Sequence, residues 1–338
     1  MNCGAVLAPN WLGDAVMCLP ALAALRRATP ETDWTVLART AVAPVFTLAR
    51  LGMAVEALPP PRSLRLPRLR PRPRQVVIFP NSFHAALLAC RLGARRRIGY
   101  ARDHRGWLLH PSLPPPAPGS LPGHESFYYL ELLRRAGFLK KLPPEPRPVA
   151  LHPEAAAVAR WRERLGPQTQ IALHIGATFG TAKRWLPERF AELAGALAER
   201  GASVLLVGGP GERDLAREVR MLAPHPELLK NLAGETSLAE LVALLAAVDL
   251  LVANDSGPMH LAGAVGTPVV ALFGSTNERE TYPLTQPGKL RLLKAPGVAC
   301  SPCKLRECPI DHRCMTRISV STVLAAIEEL VCIASRRA

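Results

Sequence analysis

A glycine and an aspartate stand where the first predicted strand meets the first predicted helix. The segment PNWLGDAVMCLPAL (Pro9 to Leu22) follows a short apolar run, so Gly13 and Asp14 are expected at the carboxyl edge of a sheet, where open α/β sheets bind ligands. A glycine there lets a substrate approach the backbone closely. An acid in the first helical turn also complements the helix dipole, so Asp14 is either a ligand-facing carboxylate or simply a helix-start residue.

A second polar loop follows a strand in the other half of the chain. The segment HIGATFGTAKRWLPERF (His174 to Phe190) offers Thr178, Thr181 and Lys183 before a proline that begins the next helix. Amides, hydroxyl groups and a lysine are the donors that hold phosphate oxygens. The Walker A pattern is absent. The loop is therefore either a phosphate-binding loop or an exposed basic turn.

The strongest local signal is VANDSGPMHLAGAVGTPVVALFG (Val252 to Gly274). A strand is predicted to end at Asn254, and either Asp255 or Ser256 can cap the helix that follows. Gly257 and Pro258 open this helix, which carries His260 one turn in. Unpaired amides at a helix start, together with the helix dipole, form an anion site suited to a diphosphate. The alternative is a well-capped helix with a structural histidine.

Two further patterns are weaker. The turn VGGPGERD (Val207 to Asp214) has Asp214 where a dinucleotide fingerprint requires its third glycine.

Near the end of the chain, Cys300, Cys303, Cys308 and Cys314 give the spacing C-x2-C-x4-C-x5-C, with His312 between the last two. This spacing is irregular for zinc. We expect reduced cysteines and no bound metal.

The elements that must position these residues alternate between apolar runs and amphipathic stretches, which indicates α/β domains with parallel sheets. The chain has 338 residues, enough for two domains of ordinary size. The proline-rich segment near Lys141 to Ala150 separates them, so we predict an amino-terminal domain over 1–147 and a carboxyl-terminal domain over 148–338. The last amphipathic run, Val320 to Ser335, is expected to form a helix that could pack on either domain.

Charge is distributed unevenly. The net charge is +15, and residues 1–147 contain 21 Lys and Arg but only 8 Asp and Glu. A basic half favours a polyanionic partner: nucleic acid, an anionic membrane surface or a phosphorylated glycolipid. The arginine-rich arm, Arg62 to Arg74, carries Arg65, Arg68, Arg70 and Arg72 and is rich in proline, so we expect a loop.

The amino terminus and the longest apolar stretch indicate where the protein is located. The amino terminus has no basic region, and Asp14 lies where a signal peptide would be apolar. The apolar stretch from Leu238 to Ala253 contains Glu240 and Asp249 and is shorter than a membrane span. We therefore expect a cytoplasmic protein without a spanning helix and with reduced thiols.

Three segments together, PNWLGDAVMCLPAL, GATFGTAKRW and NDSGPMHLAGAVGTPVVALFG, resemble the lipopolysaccharide heptosyltransferase family. The stretch CSPCKLRECPIDHRCM is similar to a cysteine-containing stretch of one of its subfamilies. The resemblance covers both domains in the same order. It implies a GT-B fold, in which two Rossmann-like domains face each other across a cleft, and an enzyme that needs no cofactor.

The resemblance also implies substrates and residue roles. The donor would be ADP-L-glycero-D-manno-heptose, held by the carboxyl-terminal domain. The acceptor would be the lipid A–core of lipopolysaccharide, most simply its first heptose, at the cytoplasmic face of the inner membrane. Asp14 would be the general base, and Gly13 would lie near the acceptor. The residues implied around the donor are Thr178, Thr181, Lys183, Asp255, Ser256, Gly257 and His260.

The chemistry implied is inverting glycosyl transfer. A carboxylate removes the proton of an acceptor hydroxyl as that oxygen attacks the anomeric carbon opposite the nucleotide. No DxD-like acidic pair stands near the donor loops, so Lys183 and the amides of Ser256 and Gly257 are expected to neutralise the leaving diphosphate. Two alternatives stay open: another GT-B enzyme that uses a UDP-sugar, and a basic nucleic-acid-binding protein. Against nucleic-acid binding, the arginine-rich arm contains no aromatic residues for base stacking, and neither half of the chain carries a recognisable nucleic-acid-binding motif. We therefore expect no nucleic-acid partner.

Overall fold

A computed structural model describes residues 2–58 and 69–331 of the chain. By its internal contacts, the chain divides into two compact units, unit 1 (Met1–His152) and unit 2 (Pro153–Ala338). Within the described residues, each unit contains one six-stranded sheet whose strands pair in parallel. Arg65 and Arg68 of the arginine-rich arm lie outside the described residues.

Unit 1 has the strand order β3-β2-β1-β4-β5-β6. Its strands are β1 (Asn2–Leu7), β2 (Thr32–Arg39), β3 (Ala54–Leu58), β4 (Gln75–Ile78), β5 (Arg96–Tyr100) and β6 (Ser112–Leu113). Its helices are α1 (Leu12–Met17), α2 (Leu19–Ala28), α3 (Ala43–Leu48), α4 (Phe83–Arg91) and α5 (Ser126–Arg135). Because β1 lies between β2 and β4, the chain reverses its direction of winding at β1, and ligands of open α/β sheets bind at such a point.

Unit 2 repeats this topology with the order β12-β11-β10-β7-β8-β9. Its strands are β7 (Gln170–His174), β8 (Ser203–Val207), β9 (Leu229–Asn231), β10 (Leu250–Asn254), β11 (Val269–Phe273) and β12 (Leu290–Lys294). Its helices are α6 (Ala155–Leu165), α7 (Pro187–Glu199), α8 (Arg213–Leu222), α9 (Leu238–Leu245), α10 (Gly257–Val265), α11 (Glu278–Thr281), α12 (Arg313–Thr316) and α13 (Val320–Glu328). The corresponding switch point lies between β7 and β10.

The central strands are buried apolar runs, as expected where helices cover both faces of a parallel sheet. Every residue of β7, β10 and β11 is buried. The core of unit 2 extends to the end of the described chain, because Val320, Val323 and Ile327 of α13 belong to it. The described part of the last helix therefore packs within unit 2.

The first amphipathic stretch of the chain is divided between two helices. The amphipathic stretch from Gly13 to Ala28 forms two helices, α1 and α2, which meet at Cys18. Pro20 lies at the start of α2, where its missing N–H is harmless, but the same residue would interrupt a continuous helix. Within the described residues, no helix combines the length and apolar character needed to cross a bilayer.

Candidate functional site

The switch point of unit 2 brings three segments together at one sheet edge. Strands β8, β7 and β10 are neighbours, and the carboxyl ends of parallel strands lie at the same edge. His174 ends β7 and Asn254 ends β10. The loops that follow contain most of the donor residues predicted from the sequence.

Asn254 fixes the relation between two of these loops. Its side chain is fully buried. Its Oδ1 accepts the backbone N–H of Trp185 at 2.9 Å, and its Nδ2 donates to the carbonyls of Ile175 and Gly176 at 2.9 and 3.1 Å. A buried amide with these bonds holds the loop after β7 against the end of β10. Sequence reasoning missed Asn254, although a polar residue at the end of an apolar strand was a usable signal.

Lys183 and Asp255 form an ion pair beside this amide. Lys183 Nζ lies 2.7 Å from Asp255 Oδ2, and their side chains are 13% and 4% exposed. Thr276 donates to the same oxygen at 2.6 Å, and Thr281 donates to Oδ1 at 3.4 Å. The ammonium group retains donors for a further anion because it carries three protons. The structure thus joins two residues that were predicted separately.

His174 connects Ser256 to Glu212. Its Nδ1 lies 3.0 Å from Ser256 Oγ, and its Nε2 lies 3.3 Å from Glu212 Oε2. Ser256 also donates to the Asn254 carbonyl at 2.9 Å, so its hydroxyl does not cap α10. Ser256 was predicted at this site, whereas His174 and Glu212 were not singled out. The line of three side chains spans the ends of β8, β7 and β10.

The surroundings of Glu212 stabilise its carboxylate and leave room for its side chain. Burial alone would raise its pKa, but the hydrogen bond and charge of His174 and the Gly209 N–H, which donates at 2.7 Å, together lower that pKa. A Cβ atom on Gly176 or Gly208 would overlap the Glu212 side chain. These two glycines therefore make room for an acid, rather than for a nucleotide as in a dinucleotide fingerprint.

The loop with Thr178 and Thr181 exposes both threonines. Between them stands Phe179, 40% exposed, whose ring has Lys183 Nζ and the Arg306 guanidinium each 5.2 Å from its centroid. The hydroxyl groups and two cations are thus concentrated on a short stretch of surface. This arrangement suits a phosphorylated ligand.

The cysteine-containing stretch supports this loop. Arg306 accepts the Ala182 N–H at 2.9 Å through its backbone carbonyl, and His312 Nε2 lies 3.0 Å from the Ala182 carbonyl. A Cβ atom on Gly180 would overlap the Arg306 backbone. The close approach therefore explains why the loop has a glycine at this position.

The four cysteines of this stretch are free thiols. Cys300 and Cys303 are exposed, Cys308 is half-buried, and Cys314 is buried. Burial, followed by the neighbouring charges of Cys308, Cys300 and Cys303, raises the pKa of Cys314 to about 11. Among the described residues, no three His, Cys, Asp or Glu side chains are grouped as metal ligands.

Helix α10 begins at Gly257 with Ser256 as its N-cap residue. The first amides of a helix have no partner within the helix, so they and the helix dipole attract an anion. His260 lies one turn further on and is 3% exposed. A role for His260 toward a ligand stays a prediction.

In unit 1, Asp14 occupies the first turn of α1, directly after β1, and both it and Gly13 are half-buried. Burial and then the charge of Asp14 raise the pKa values of the Cys18 thiol and the Tyr129 phenol. The negative charge of Asp14 therefore acts on both groups. Its position at the carboxyl edge, at the switch point, is compatible with a base, but the role itself stays a prediction.

The described arginines of the arm lie at the opposite edge of this sheet. Arg70 and Arg72 are exposed. The Arg72 carbonyl accepts a hydrogen bond from Cys3 Sγ at 3.0 Å, and Cys3 is the second residue of β1. These arginines are thus near the start of β1, whereas Asp14 follows its end.

The profile of the family described as "Glycosyltransferase family 9 (heptosyltransferase)" matches residues 73–313. Lipopolysaccharide heptosyltransferase 2 of Escherichia coli K12 is 29% identical over 84% of this chain and 86% of its own length. Lipooligosaccharide heptosyltransferase 2 of Campylobacter jejuni is 26% identical over 95% and 97%. The solved structure of E. coli ADP-heptose lps heptosyltransferase II superposes with a TM-score of 0.80, at 26% identity and 98% coverage of both chains.

Proposed function

Because the chain belongs to glycosyltransferase family 9, the heptosyltransferases, we propose that it transfers L-glycero-D-manno-heptose from ADP-heptose to the inner core of lipopolysaccharide. The resemblance seen in the three sequence segments is confirmed by the family match, and the GT-B fold by the superposition. The names of the relatives support both substrates. We propose the first heptose of the core as the acceptor.

The observation that carries the donor assignment is the group of hydrogen-bond donors at the carboxyl edge of the unit 2 sheet. Lys183 is held at this edge by Asp255, the N-terminus of α10 lies directly after Asp255, and Thr178 and Thr181 are exposed nearby in sequence. Backbone amides, hydroxyl groups and an ammonium group are together suited to a diphosphate. We assign the ADP moiety to this edge, with Ser256, Gly257 and His260 among its contacts.

The reaction requires a base and a stabilised leaving group. The acceptor oxygen attacks the anomeric carbon and forms the new glycosidic bond while the bond from that carbon to the ADP oxygen breaks, which inverts the configuration. Asp14 takes the proton of the acceptor hydroxyl. The ADP leaves with the bonding electrons, and Lys183 and the first amides of α10 stabilise the charge that develops on its phosphate.

The acceptor side is assigned to unit 1. Gly13 and Asp14 lie at its switch point, and the basic excess of residues 1–147 complements a phosphorylated glycolipid embedded in an anionic membrane. The proposed location is the cytoplasmic face of the inner membrane, to which the protein binds peripherally. We assign Arg70 and Arg72, with Arg65 and Arg68, to contact with acidic headgroups.

The test uses purified protein with ADP-heptose and lipopolysaccharide core truncated before or after its first heptose. Mass spectrometry should show the addition of one heptosyl unit to the core that ends in the first heptose. Transfer to the heptose-free core instead would show that the first heptose is not the acceptor. Calorimetry should show binding of ADP but not of UDP, and a preference for UDP would favour a different sugar donor.

A further inference from the structure

Helix α4 presents an unusual face to solvent. Phe83, His84, Leu87 and Arg91 are exposed, and at 3.6 residues per turn they lie within an arc of about 100°. The opposite side packs in the core of unit 1 through Ala85, Ala86, Leu88 and Ala89. Phe83 and Leu87 are 42% and 40% exposed. The outward stripe is thus apolar at its start and cationic at its end.

Trp107 extends the apolar part of this face. Its side chain is 74% exposed, and its ring centroid lies 6.1 Å from that of Phe83. The turn that carries it, Gly106–Leu108, follows Arg105, which is fully buried. The Arg105 guanidinium donates to the carbonyls of Tyr100 and Ser82, each at 2.9 Å. A buried, bonded arginine therefore fixes an exposed tryptophan next to the start of α4.

The charge around the face has one sign. From Ala57 to Arg102 the sequence contains eleven arginines and no Asp or Glu. Arg91 and Arg95 are exposed near the end of α4, and the Arg72 side chain approaches Gly93, which follows that helix. Asp103 is the first acid beyond this stretch and is exposed, close in sequence to Trp107. The face is therefore strongly cationic with an apolar end.

We propose that this α4 face, formed by Phe83, Leu87, Trp107 and Arg91 with Arg72 and Arg95, binds an anionic lipid bilayer. Phe83, Leu87 and Trp107 enter the interface, and the arginines contact acidic headgroups, which is how interfacial helices bind membranes. Trp is suited to the headgroup level because its ring is apolar and its N–H is polar.

The features of the face favour a bilayer over other occupants. A second copy of the chain would bring the same arginines together and repel itself. A stable protein interface also buries roughly 800 Å² on each partner, whereas the two aromatic side chains, at about 150–250 Å² each, supply together only about 300–500 Å². Single-stranded nucleic acid needs rings open for stacking, but here the two rings are tilted by 51° and an aliphatic Leu87 completes the surface.

The apolar start of the face lies at the edge of the sheet that the acceptor must reach, whereas Arg72, Arg91 and Arg95 lie toward the opposite edge. Strands β1 and β4 pair in parallel, α1 with Asp14 follows β1, and α4 with Phe83 follows β4. Both helices therefore begin at the same carboxyl edge. Binding through α4 would hold the predicted base near the headgroup region that contains a lipid-anchored acceptor. This last step rests on the proposed function, but the membrane contact does not.

The test measures co-sedimentation with vesicles of phosphatidylcholine, with and without phosphatidylglycerol, at low salt. The variant Phe83→Ser/Trp107→Ser should bind anionic vesicles about tenfold more weakly than the parent, because binding scales with buried apolar area. The control Met221→Ser/Leu228→Ser, which removes residues 77% and 51% exposed in unit 2, should bind like the parent. Arg91→Ser/Arg95→Ser should reduce the preference for anionic over neutral vesicles.

Equal vesicle binding by Phe83→Ser/Trp107→Ser and the parent would overturn the proposal. If the parent is a dimer, the variant is a monomer and vesicle binding is retained, the face binds a second copy of the chain instead. If the same variant loses binding to RNA but keeps binding to vesicles, the face binds nucleic acid instead. Circular dichroism checks folding, and Leu87→Gln serves as a second variant. If vesicle binding follows the proposal but no heptose is transferred, only the proposed function fails.

Discussion

Lys183 and Asp255 form an ion pair of 2.7 Å between residues 72 positions apart in the sequence. Because Asp255 is 4% exposed and also accepts two threonine hydroxyls, the lysine has a structural partner before any donor binds. The same residue is thus assigned both to the architecture of the donor loop and to the binding of a diphosphate. These two roles can be separated by experiment.

Lys183→Ala should lower both ADP affinity and stability. Loss of a charge-assisted contact worth roughly 1.5–3 kcal/mol predicts one to two decades in ADP affinity. The Asp255 carboxylate would then be buried without its cation, at a cost of about 3–5 kcal/mol. Adding Asp255→Asn should recover much of the melting temperature but not the ADP affinity measured by calorimetry. A folded Lys183→Ala protein that binds ADP normally would remove the lysine from the donor site.

Asp14→Asn should reduce turnover by about 10²-fold or more while ADP affinity stays near that of the parent, because the carboxylate is assigned only to proton removal. Steady-state kinetics and calorimetry measure the two quantities. Asp33→Asn, which changes an exposed acid of the same unit, is the matched control. Turnover close to that of the parent in Asp14→Asn would show that another group is the base.

Glu212→Gln should destabilise the protein in a pH-dependent way. The folded state lowers the pKa of Glu212 below its ordinary value of 4.5. Its stabilisation is therefore fully present above that value and is lost as the pH falls through the lower, folded pKa. Urea unfolding of the parent and Glu212→Gln should show a gap in stability above pH 4.5 that closes as the pH falls below that value. A gap that does not depend on pH would indicate loss of packing rather than loss of charge.

Gly176→Ala should disturb the site by overpacking, since its new Cβ would collide with Glu212. Overpacking typically costs about 1–3 kcal/mol. Gly211→Ala is the control, because a Cβ there meets nothing within 4 Å. Combining Gly176→Ala with Glu212→Ala should restore part of the lost stability, as judged by thermal melts. Additive effects of the two changes would argue against their contact.

Replacement of Arg65, Arg68, Arg70 and Arg72 by serine should weaken association with anionic vesicles at low salt, because each arginine near such a surface contributes about 1 kcal/mol and salt screens the effect. Activity on membrane-embedded acceptor should fall more than activity on a delipidated one, and ADP binding should not change. Vesicle binding as tight as that of the parent would show that the arm has no membrane role.

The alternation of apolar runs and amphipathic stretches marks the central strands well, because a strand covered on both faces is an apolar run, as in Val269–Phe273. It did not predict β5, which begins with Arg96 and Arg97, or β9, whose three residues include a lysine. These outer strands need fewer apolar residues. Their place in the sheet is set by pairing with neighbours, which a local pattern does not contain.

The site was predicted as separate loops, and the contacts between them were not. Glu212 was missed because its segment was compared only with a glycine fingerprint, in which Glu212 occupies an unspecified position. In the structure, Gly176 and Gly208 leave the room that this acid occupies. His174 and Asn254 were missed because each ends an apolar strand, and their partners are remote in sequence.

The bonds from Ala182 to Arg306 and His312, and from the Trp185 indole N–H to the Ile318 carbonyl at 3.0 Å, set an order of assembly during synthesis. The strands of unit 1 end at Leu113, so this unit can fold first, as amino-terminal domains generally do. The loop that carries Lys183 cannot be fixed until the residues up to 318 have left the ribosome. A nascent chain can therefore present the α4 face before it can hold a nucleotide.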